Sequence, residues 1–399
     1  MTPNMICPDE TADPKLGAII YGHTVLSASM TFVKSHGEAL VSYVPIYAGA
    51  HRAKNGLELP DDRVVVVNNS TFVGKVREYL FRSRGFAPQF VKTLNEHNPA
   101  IVHAHFGTSG PTGLFLAEQL GVPLLVTFHG ADATISESVA AGSRRGRELI
   151  RGKSTLIAGA GRFIAVSNFI RDRLLEQGYP DSKIVVHRNG IDLNFFSPDR
   201  SVNRSSRIVF VGRFVEKKGV NVLVEAAVEL KKAGVDFELV LIGDGPLRKA
   251  MEVACNRAEL NARFTGFLTV DEVRSWLARA AVVAVPSMTA ADGDSEGLPT
   301  ILLEAQAMET PVVATHHSGI PEGVVSGKTA ELVSPGDHRA LAESLQSFLT
   351  SPEKVESFGL AGRHFMSENF ELRNQVRGLE KIYSQLIVAH ASRGVALVD

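Results

Sequence analysis

Short apolar runs alternate with amphipathic helical patterns along almost the whole chain, and this rhythm constrains the fold more than any other feature. In the first half, strand-like runs at residues 16–21, 41–46 and 122–128 are separated by segments of helical periodicity. Apolar runs of this length without polar alternation are typical of buried strands in parallel sheets. The order of elements therefore predicts an α/β fold with doubly wound sheets.

A polar stretch interrupts the rhythm at residues 199–207, after which a new series of strands and helices begins. The length of 399 residues suits two domains. We predict two Rossmann-like domains that face a cleft, over residues 1–200 and 201–371. A last helical pattern, over residues 372–399, is predicted to pack back on the first domain.

Three local patterns in the first domain lead to specific expectations. Residues 75–94 interleave phenylalanines with basic residues at helical spacing and predict one continuous helix. Residues 143–153 are polar and basic, and predict a connection without regular structure. The first strand is expected to end at a turn formed by Gly22 and His23.

Glycines and polar residues repeatedly follow the predicted strands, among them Gly22, His105, His129, Arg213 and Ser287. Open parallel sheets bind ligands outside the carboxyl ends of their strands. The same arrangement occurs in both halves of the chain, so the sequence predicts a ligand cleft between two facing sheets.

The stretch from Asp292 to Glu304 follows a predicted buried strand and leads into a helix that begins near Pro299. Free backbone N–H groups and the dipole at a helix N-terminus suit a phosphate. Glu296 on the loop and Glu304 just over one turn inside the helix can each accept hydrogen bonds from sugar hydroxyls. This arrangement predicts a nucleotide-sugar site, with an ordinary surface loop as the alternative.

Arg213 and Lys218 lie in the segment that joins a predicted strand to the next helix. Arginine forms bidentate hydrogen bonds with phosphate oxygens, and lysine supplies a mobile positive charge. The two side chains are predicted to bind a diphosphate and to stabilise it as it departs. A solvated basic surface is the alternative.

Short motifs in both halves carry a family resemblance. The second half contains Gly-Arg-(x)4-Lys-Gly at 212–219, Gly-Asp-Gly-Pro at 243–246, Thr-Gly-Phe at 265–267, Pro-Ser at 286–287 and Glu-(x)7-Glu at 296–304. The first half contains His-Ala-His-Phe at 103–106, Thr-Phe-His-Gly-Ala-Asp at 127–132, Ala-Val-Ser at 165–167 and Asn-Gly-Ile-Asp at 189–192. Together they resemble the retaining family-four glycosyltransferases, which use nucleotide sugars and have the GT-B fold.

The resemblance covers nearly the whole chain and is greatest for bacterial exopolysaccharide enzymes of the colanic-acid type. These share Asp-Gly-Asp-x-Glu-Gly, here residues 292–297, and His-Ser-Gly-Ile-Pro-Glu, here residues 317–322. The combination of motifs is specific, although no single motif is.

The resemblance implies catalytic roles for His129, Arg213, Lys218 and Glu296. His129 would lie beside the reacting sugar, and Glu296 would bind hydroxyls of the donor sugar. Arg213 and Lys218 would neutralise the departing diphosphate. Electrostatic stabilisation of this kind is commonly the largest contribution to catalysis.

The resemblance also implies a donor-binding set at the strand ends and the start of the helix: Gly22, Arg213, Lys218, Leu268, Glu296, Gly297, Leu298, Pro299, Thr300 and Glu304. The backbone of residues 297–300 would contact the sugar and the phosphates, and Glu304 would bind the ribose. Residues 266–268 would meet the base, mainly through their backbone.

The implied reaction moves a hexose from UDP-hexose or GDP-mannose to a saccharide acceptor, lipid-linked and used in exopolysaccharide or cell-surface polysaccharide synthesis. A nucleotide-sugar epimerase of the same architecture and a non-catalytic sugar- or nucleotide-binding module remain alternatives. The nucleotide sugar is a substrate, and no cofactor is expected. No metal is expected either. Asp292-Gly-Asp294 has the DxD spacing of metal-dependent enzymes, but Arg213 and Lys218 supply the positive charge that a metal would bring.

Charge and hydropathy limit the partners. The 42 Lys and Arg residues against 43 Asp and Glu residues predict no nucleic-acid binding. Residues 1–15 lack an apolar signal-peptide core, and no apolar run approaches the ~18 residues that span a bilayer, so a cytoplasmic protein is expected. The basic helix over residues 75–92 is compatible with peripheral contact of the first domain with the inner face of the plasma membrane, and a lipid-linked acceptor makes this interpretation about as strong as the alternative. A solvated basic face is the alternative.

The first loop departs from the family pattern. Members often have Gly-Gly after the first strand, where this chain has Gly22-His23. Met30 stands where the exopolysaccharide relatives often have Glu. The acceptor contacts near this loop therefore stay open.

Overall fold

The computed structural model describes residues 15–54 and 56–395. Within these residues the strands form two parallel sheets, and the predicted α/β fold with two doubly wound domains is confirmed. The first sheet has the order β3-β2-β1-β4-β5-β6-β7. Its strands are β1 Leu16–Val25, β2 Tyr43–Arg52, β3 Val64–Val66, β4 Pro99–His105, β5 Leu124–Phe128, β6 Arg162–Ala165 and β7 Ile184–Val186.

The second sheet has the order β10-β9-β8-β11-β12-β13. Its strands are β8 Arg207–Val211, β9 Glu238–Ile242, β10 Ala262–Gly266, β11 Val282–Val285, β12 Val312–Thr315 and β13 Ala330–Val333. In both sheets the strand order reverses beside the first strand of the domain, and ligands bind at such switch points in open α/β sheets.

The helices cover the faces of the sheets. In the first half they are α1 Thr31–Glu38, α2 Phe72–Arg84, α3 Pro88–Asn95, α4 Gly110–Leu120, α5 Ala131–Thr134, α6 Glu137–Ala140, α7 Arg144–Gly159 and α8 Asn168–Glu176. In the second half they are α9 Val220–Lys232, α10 Arg248–Arg257, α11 Val270–Arg279, α12 Thr300–Ala307, α13 His338–Leu349, α14 Pro352–Asn369 and α15 Leu372–Val395.

Local sequence explains several of these boundaries. All four residues of β11 and of β12 are buried, as expected for a central strand covered on both faces. Ser167 caps α8, because its Oγ accepts a hydrogen bond from the backbone N–H of Ile170 at 3.3 Å. Thr269 and Glu272 form a capping box at the start of α11.

The expectation of one helix over residues 75–94 is wrong. Helix α2 ends at Gly85, whose φ of 67° lies in the left-handed region that favours glycine, and α3 begins at Pro88. The expected connection over residues 143–153 is instead the start of α7, capped by the Ser143 hydroxyl. The capping serine was present in the sequence, but the charged surface of this helix obscured its periodicity.

The first strand is longer than expected. It continues through Gly22 and His23 to Val25 and stays paired with β2, so these two residues do not form a turn. Strand β13 and helix α14 had no counterpart among the sequence expectations. Residues 1–14, on which the signal-peptide argument partly rests, lie outside the described residues.

Helix α15 returns to the first sheet. Leu372, Val376, Leu379 and Tyr383 belong to the same apolar cluster as residues of β1 and α1. The Tyr383 hydroxyl lies 2.7 Å from Nδ1 of His103 on β4. Residues 396–399 lie outside the described residues.

Hydrogen bonds to the backbone fix α15 in place as well. Oε1 of Glu380 accepts bonds from the backbone N–H groups of Val41 and Ser42 at 2.8 and 2.7 Å. One carboxylate thus satisfies two backbone donors at the start of the segment that leads into β2.

We expect Tyr383→Phe to lower the free energy of unfolding by roughly 1–3 kcal/mol, because it leaves a buried His103 nitrogen without a partner. Tyr43→Phe is the matched control, since that hydroxyl makes a longer, part-buried bond with Ser384 at 3.2 Å. We expect the control to cost less than about 1 kcal/mol. Calorimetric unfolding of both variants measures the difference, and equal losses would contradict a special role for the Tyr383 bond.

Candidate active site

The site is built on the loop that joins β11 to α12. Two lysines from the segment after β8 reach carboxylates on this loop. Nζ of Lys217 lies 2.9 Å from Asp294, and Nζ of Lys218 lies 2.9 Å from Oε1 of Glu296. The Lys218 and Glu296 side chains are 19% and 10% exposed, so this ion pair is largely removed from water.

Glu296 is ionised within this arrangement. Burial raises the pKa of its carboxyl group, but the positive charges of Lys218 and Lys217 outweigh burial, and the net pKa is lowered. An ionised, acceptor-only carboxylate is the form that binds sugar hydroxyls.

Arg213 lies on the same segment as Lys218 and is exposed. The segment is anchored to the end of β9, since the backbone N–H of Phe214 donates to the carbonyl of Asp244 at 2.9 Å. Among the described residues, no hydrogen bond or ion pair engages the Arg213 guanidinium. Its donors therefore remain available to an anion.

Most of the remaining donor candidates lie at the start of α12, and they differ in whether their side chains are free to contact a ligand. Pro299 precedes the first helical residue, Thr300 begins the helix, and Glu304 lies one turn further along. The Leu298 side chain is buried in the core of the second domain, so only its backbone can serve a ligand. Leu268 likewise packs against that core, beside the exposed ring of Phe267.

Glu304 and Thr300 line a cavity of about 820 Å³ between the domains. Thr31 and Lys34 of α1 line it from the first domain. Burial raises the pKa of Glu304 to about 7, although a hydrogen bond with Thr300 and the charge of Lys218 oppose the rise.

His129 follows β5 in the first domain. The Asp132 carboxylate holds the turn by accepting bonds from the backbone N–H groups of Gly107, His129 and Gly130 at 2.7 to 3.1 Å. Nε2 of His129 lies 3.1 Å from Nδ1 of His105. Burial lowers the pKa of His129 to about 3, so its imidazole is neutral at physiological pH.

The two halves of the site touch through the backbone. A side chain at Gly297 would overlap the carbonyl oxygen of His129, so only glycine permits this approach. The Ser167 hydroxyl donates to the Gly297 carbonyl at 3.1 Å, and the Ser295 N–H donates to the Thr134 hydroxyl at 3.0 Å. His129 is thereby placed next to the loop that carries Glu296.

A carboxylate from the second domain strengthens this interface. Glu322 accepts bonds from the side chains of Asn168 and Arg188 at 2.9 and 2.6 Å. It also accepts a bond from the backbone N–H of Phe169 in the first turn of α8. The sequence indicated Glu322 only as part of a motif and did not predict this interdomain role. It also did not predict that Lys217 and Thr134 contact the loop.

Gly22 has a different position from the other donor candidates. With His23 and Phe106 it lines a cavity of about 470 Å³ on the first domain. The Phe106 ring lies 4.7 Å from the His129 ring, so this cavity adjoins the same histidine. Met30 is buried at the start of α1 and also lines the cavity.

Within the described part of the chain, no group of three or more His, Cys, Asp or Glu residues is arranged to hold a metal ion. Of the two DxD aspartates, Asp294 pairs with Lys217, and Asp292 accepts a bond from the Asp294 backbone N–H at 2.9 Å.

Comparison with known proteins identifies the family of this chain. The family model for glycosyltransferase family 4 matches residues 42–195, and the model for glycosyl transferases group 1 matches residues 195–365. The amylovoran biosynthesis glycosyltransferase AmsK of Erwinia amylovora is 33% identical over 72% of this chain and 70% of its own length. This chain belongs to the family-four glycosyltransferases.

Other relatives support this family assignment. WcaL of Escherichia coli, a glycosyltransferase named for colanic acid biosynthesis, is 38% identical over 61% of this chain and 60% of its own length. The chain thus matches about three fifths to seven tenths of the length of these two relatives. Among solved structures, sucrose-phosphate synthase of Thermosynechococcus elongatus has a TM-score of 0.72 at 21% identity, over 94% of this chain and all of its own.

The Anabaena protein HepE, in complex with UDP-glucose, has a TM-score of 0.71 at 17% identity, over 92% of this chain and all of its own. Both of these solved structures share their fold with this chain.

None of the helices formed by the described residues of this chain is long and apolar enough to cross a membrane.

We expect Glu304→Gln to raise the free energy of unfolding at pH 8 by roughly 1–3 kcal/mol. At pH 5 the same substitution should change that free energy little. The folded-state pKa is raised from an ordinary value of 4.5 to about 7, so the wild type loses stability as pH rises between those values. Denaturant unfolding at the two pH values measures this. Glu343→Gln, at an exposed site on α13, is the control, and an equal effect of Glu304→Gln at both pH values would contradict the prediction.

Proposed function

We propose that the protein transfers a hexose from a nucleoside-diphosphate hexose to a saccharide acceptor, with retention of configuration and without a metal ion. The observation that carries the proposal is the largely buried Lys218–Glu296 ion pair, whose carboxylate lies on the loop that touches His129. A cation for phosphate, a carboxylate for sugar hydroxyls and a neutral histidine thus belong to one interdomain site.

The donor would bind mainly to the second domain. Its diphosphate would attract Lys218 and the unpaired Arg213, while the nearby Lys217 would keep Glu296 ionised. Glu304 would accept bonds from the ribose in the interdomain cavity. A bound diphosphate has no need of a metal if two cations already offset its charge.

His129 would contact the donor sugar from the first domain. A neutral imidazole can donate or accept a hydrogen bond with a sugar hydroxyl. His129 is only partly exposed, which limits competition from water for its hydrogen bonds.

Asp132, the carboxylate nearest to His129 in sequence, is a poor covalent nucleophile, because three backbone N–H groups already bind it. We therefore favour substitution on one face of the sugar. The bond from C1 to the diphosphate breaks, the bond from C1 to the acceptor oxygen forms on the same face, and the acceptor proton passes to the diphosphate.

The acceptor and donor classes follow from the relatives. AmsK and WcaL are named for amylovoran and colanic acid biosynthesis, which supports an exopolysaccharide acceptor, and we propose that this acceptor is lipid-linked. The HepE complex with UDP-glucose supports UDP-hexose as a donor, with GDP-mannose as the other candidate.

The exposed apolar residues of helix α2 support the proposal that the enzyme acts at a membrane surface on the cytoplasmic side. Phe72 and Tyr79 are 82% and 60% exposed, and Val73 and Val76 are exposed between them. Exposed apolar side chains interleaved with basic ones suit an anionic lipid surface. Contact there would bring the enzyme to a lipid-linked acceptor.

We expect Glu296→Ala, Lys218→Ala and Arg213→Ala each to lower kcat/KM for transfer by about 100-fold or more, because each removes an electrostatic contact with the donor. Asp292→Asn is the control and should retain transfer within about twofold, with or without a chelator. Undiminished activity in all three variants would refute the mechanism.

The donor for these assays is chosen by thermal stabilisation with a panel of UDP- and GDP-sugars, since a ligand that binds only the folded state raises its stability. Product analysis separates the alternatives. A changed sugar nucleotide formed without acceptor would indicate an epimerase, and donor binding without any turnover would indicate a binding module.

We expect the double variant Phe72→Ser, Tyr79→Ser to lose at least about tenfold in binding to phosphatidylglycerol vesicles, because it removes apolar area from the membrane face. Phe267→Ser is the matched control, since that ring is 75% exposed on the second domain. Co-sedimentation with vesicles measures both. Wild-type binding by the double variant would exclude α2 as the membrane contact.

A further inference from the structure

The first-domain cavity described above, of about 470 Å³, is large enough for a small-molecule ligand. One wall is formed by the carboxyl end of β1, with Gly22 and His23, and another by α7, with Arg145 and Lys153. Phe106 separates it from His129. It therefore lies where an acceptor could approach a sugar held beside His129.

The acidic side chains that line this cavity are already engaged. The Asp132 carboxylate accepts three backbone bonds, as described above. Glu137 pairs with Lys153 at 3.1 Å, and its side chain is 63% exposed. An ion pair with so exposed a partner contributes little and does not prevent Lys153 from meeting another anion.

Arg145 is the cation of this wall that lacks a carboxylate. Its Nη2 donates one bond, at 3.3 Å, to the hydroxyl of Thr24, and no ion pair engages it within the described residues. Its neighbour Arg144, by contrast, pairs with Glu148 at 3.0 Å. A guanidinium with free donors at the rim of a cavity can form bidentate bonds with a carboxylate or a phosphate.

His23 gives a second and independent indication of a ligand. Its residue is 4% exposed, and Nε2 lies 2.9 Å from the carbonyl oxygen of Thr108. Because a carbonyl only accepts, Nε2 carries the proton and Nδ1 is a hydrogen-bond acceptor. That Nδ1 is buried and has no partner among residues 15–54 and 56–395, which is costly unless a ligand group supplies one.

The chemistry at His23 suits a neutral hydroxyl. Burial, together with the positive charges of Arg82 and Arg145, lowers the pKa of His23 to about 4, so the imidazole stays neutral at physiological pH. The cavity thus combines an acceptor for a hydroxyl with a guanidinium that has no carboxylate partner in the described part of the chain.

We propose that this cavity binds the acceptor, and that the acceptor bears an anionic group, a carboxylate or a phosphate, which pairs with Arg145 while a hydroxyl bonds to His23. The proposal rests on the proposed function, because a transferase requires an acceptor beside the donor sugar. Two sources share this chemistry: an acidic sugar of the acceptor and the phosphate of a lipid carrier.

Direct binding to the full-length protein tests the proposal without turnover. The probes are 4-nitrophenyl glucoside, 4-nitrophenyl glucuronide and glucosyl diphosphofarnesol, titrated by calorimetry in the presence of UDP. We expect one of the two charged probes to bind at least about tenfold more tightly than the glucoside. Preference for the glucuronide identifies an acidic sugar, and preference for the diphosphate identifies the lipid carrier.

The variants are Arg145→Ala, Arg145→Lys and, as control, Arg151→Ala, an exposed arginine on the same helix that does not line the cavity. Arg145→Ala should abolish the preference for the charged probe and leave glucoside binding unchanged. Arg145→Lys should retain part of the preference, and Arg151→Ala all of it.

The proposal is overturned if neither charged probe binds more tightly than the glucoside, or if the preference survives in Arg145→Ala. Failure of the proposed function has a different signature. In that case no nucleotide sugar is turned over with any acceptor, whatever the binding preference.

Discussion

The close contact between Gly297 and His129 is the constraint on which the rest of the site depends. It joins two loops from different domains at the point where no side chain fits. Two hydrogen bonds flank this contact, one from Ser167 to the Gly297 carbonyl and one from the Ser295 N–H to Thr134. Glu322 extends the interface to the start of α8. Since Glu296 immediately precedes Gly297, the distance between donor carboxylate and histidine is set by backbone packing.

Charge in the site is confined to few positions. Burial lowers the pKa values of His103, His105 and His129, so these three imidazoles carry no positive charge at physiological pH. Lys217 and Lys218 each have a carboxylate partner on the loop, whereas the Arg213 guanidinium has none among the described residues. Under the proposed function, a donor diphosphate would meet cations that are already placed, which limits reorganisation during the reaction.

The sequence predicted the two sheets because their strands are continuous apolar runs, such as residues 282–285. It did not predict β13, where two of the four residues are only partly buried, or α7, where charged residues dominate the surface. The break between α2 and α3 was marked by Gly85 and Pro88, but the regular spacing of aromatic and basic residues across it favoured one helix.

The candidate site, like the fold, was predicted only in part. The proximity of Lys218 and Glu296 follows from two motifs at strand ends, which a parallel sheet brings to one edge, but their ion pair was not predicted. The Thr134–Ser295 bond joins residues 161 positions apart on different domains, and neither residue belongs to a pattern that predicts it. Contacts across a domain interface depend on the relative placement of two folded units, and local periodicity carries no information about that placement.

The two sides of His129 offer different chemistry, and this difference suggests how the domains share the reaction. On the proposed donor side the Lys218–Glu296 pair is largely buried, so a bound diphosphate would exchange one ion pair of Lys218 for another. On the other side, beyond Phe106, Arg145 is exposed and has no carboxylate partner among the described residues, so an anion there gains a contact without breaking one. Under the proposed function, the donor side would hold the nucleotide sugar, and the cavity of the first domain would distinguish an acceptor from its competitors.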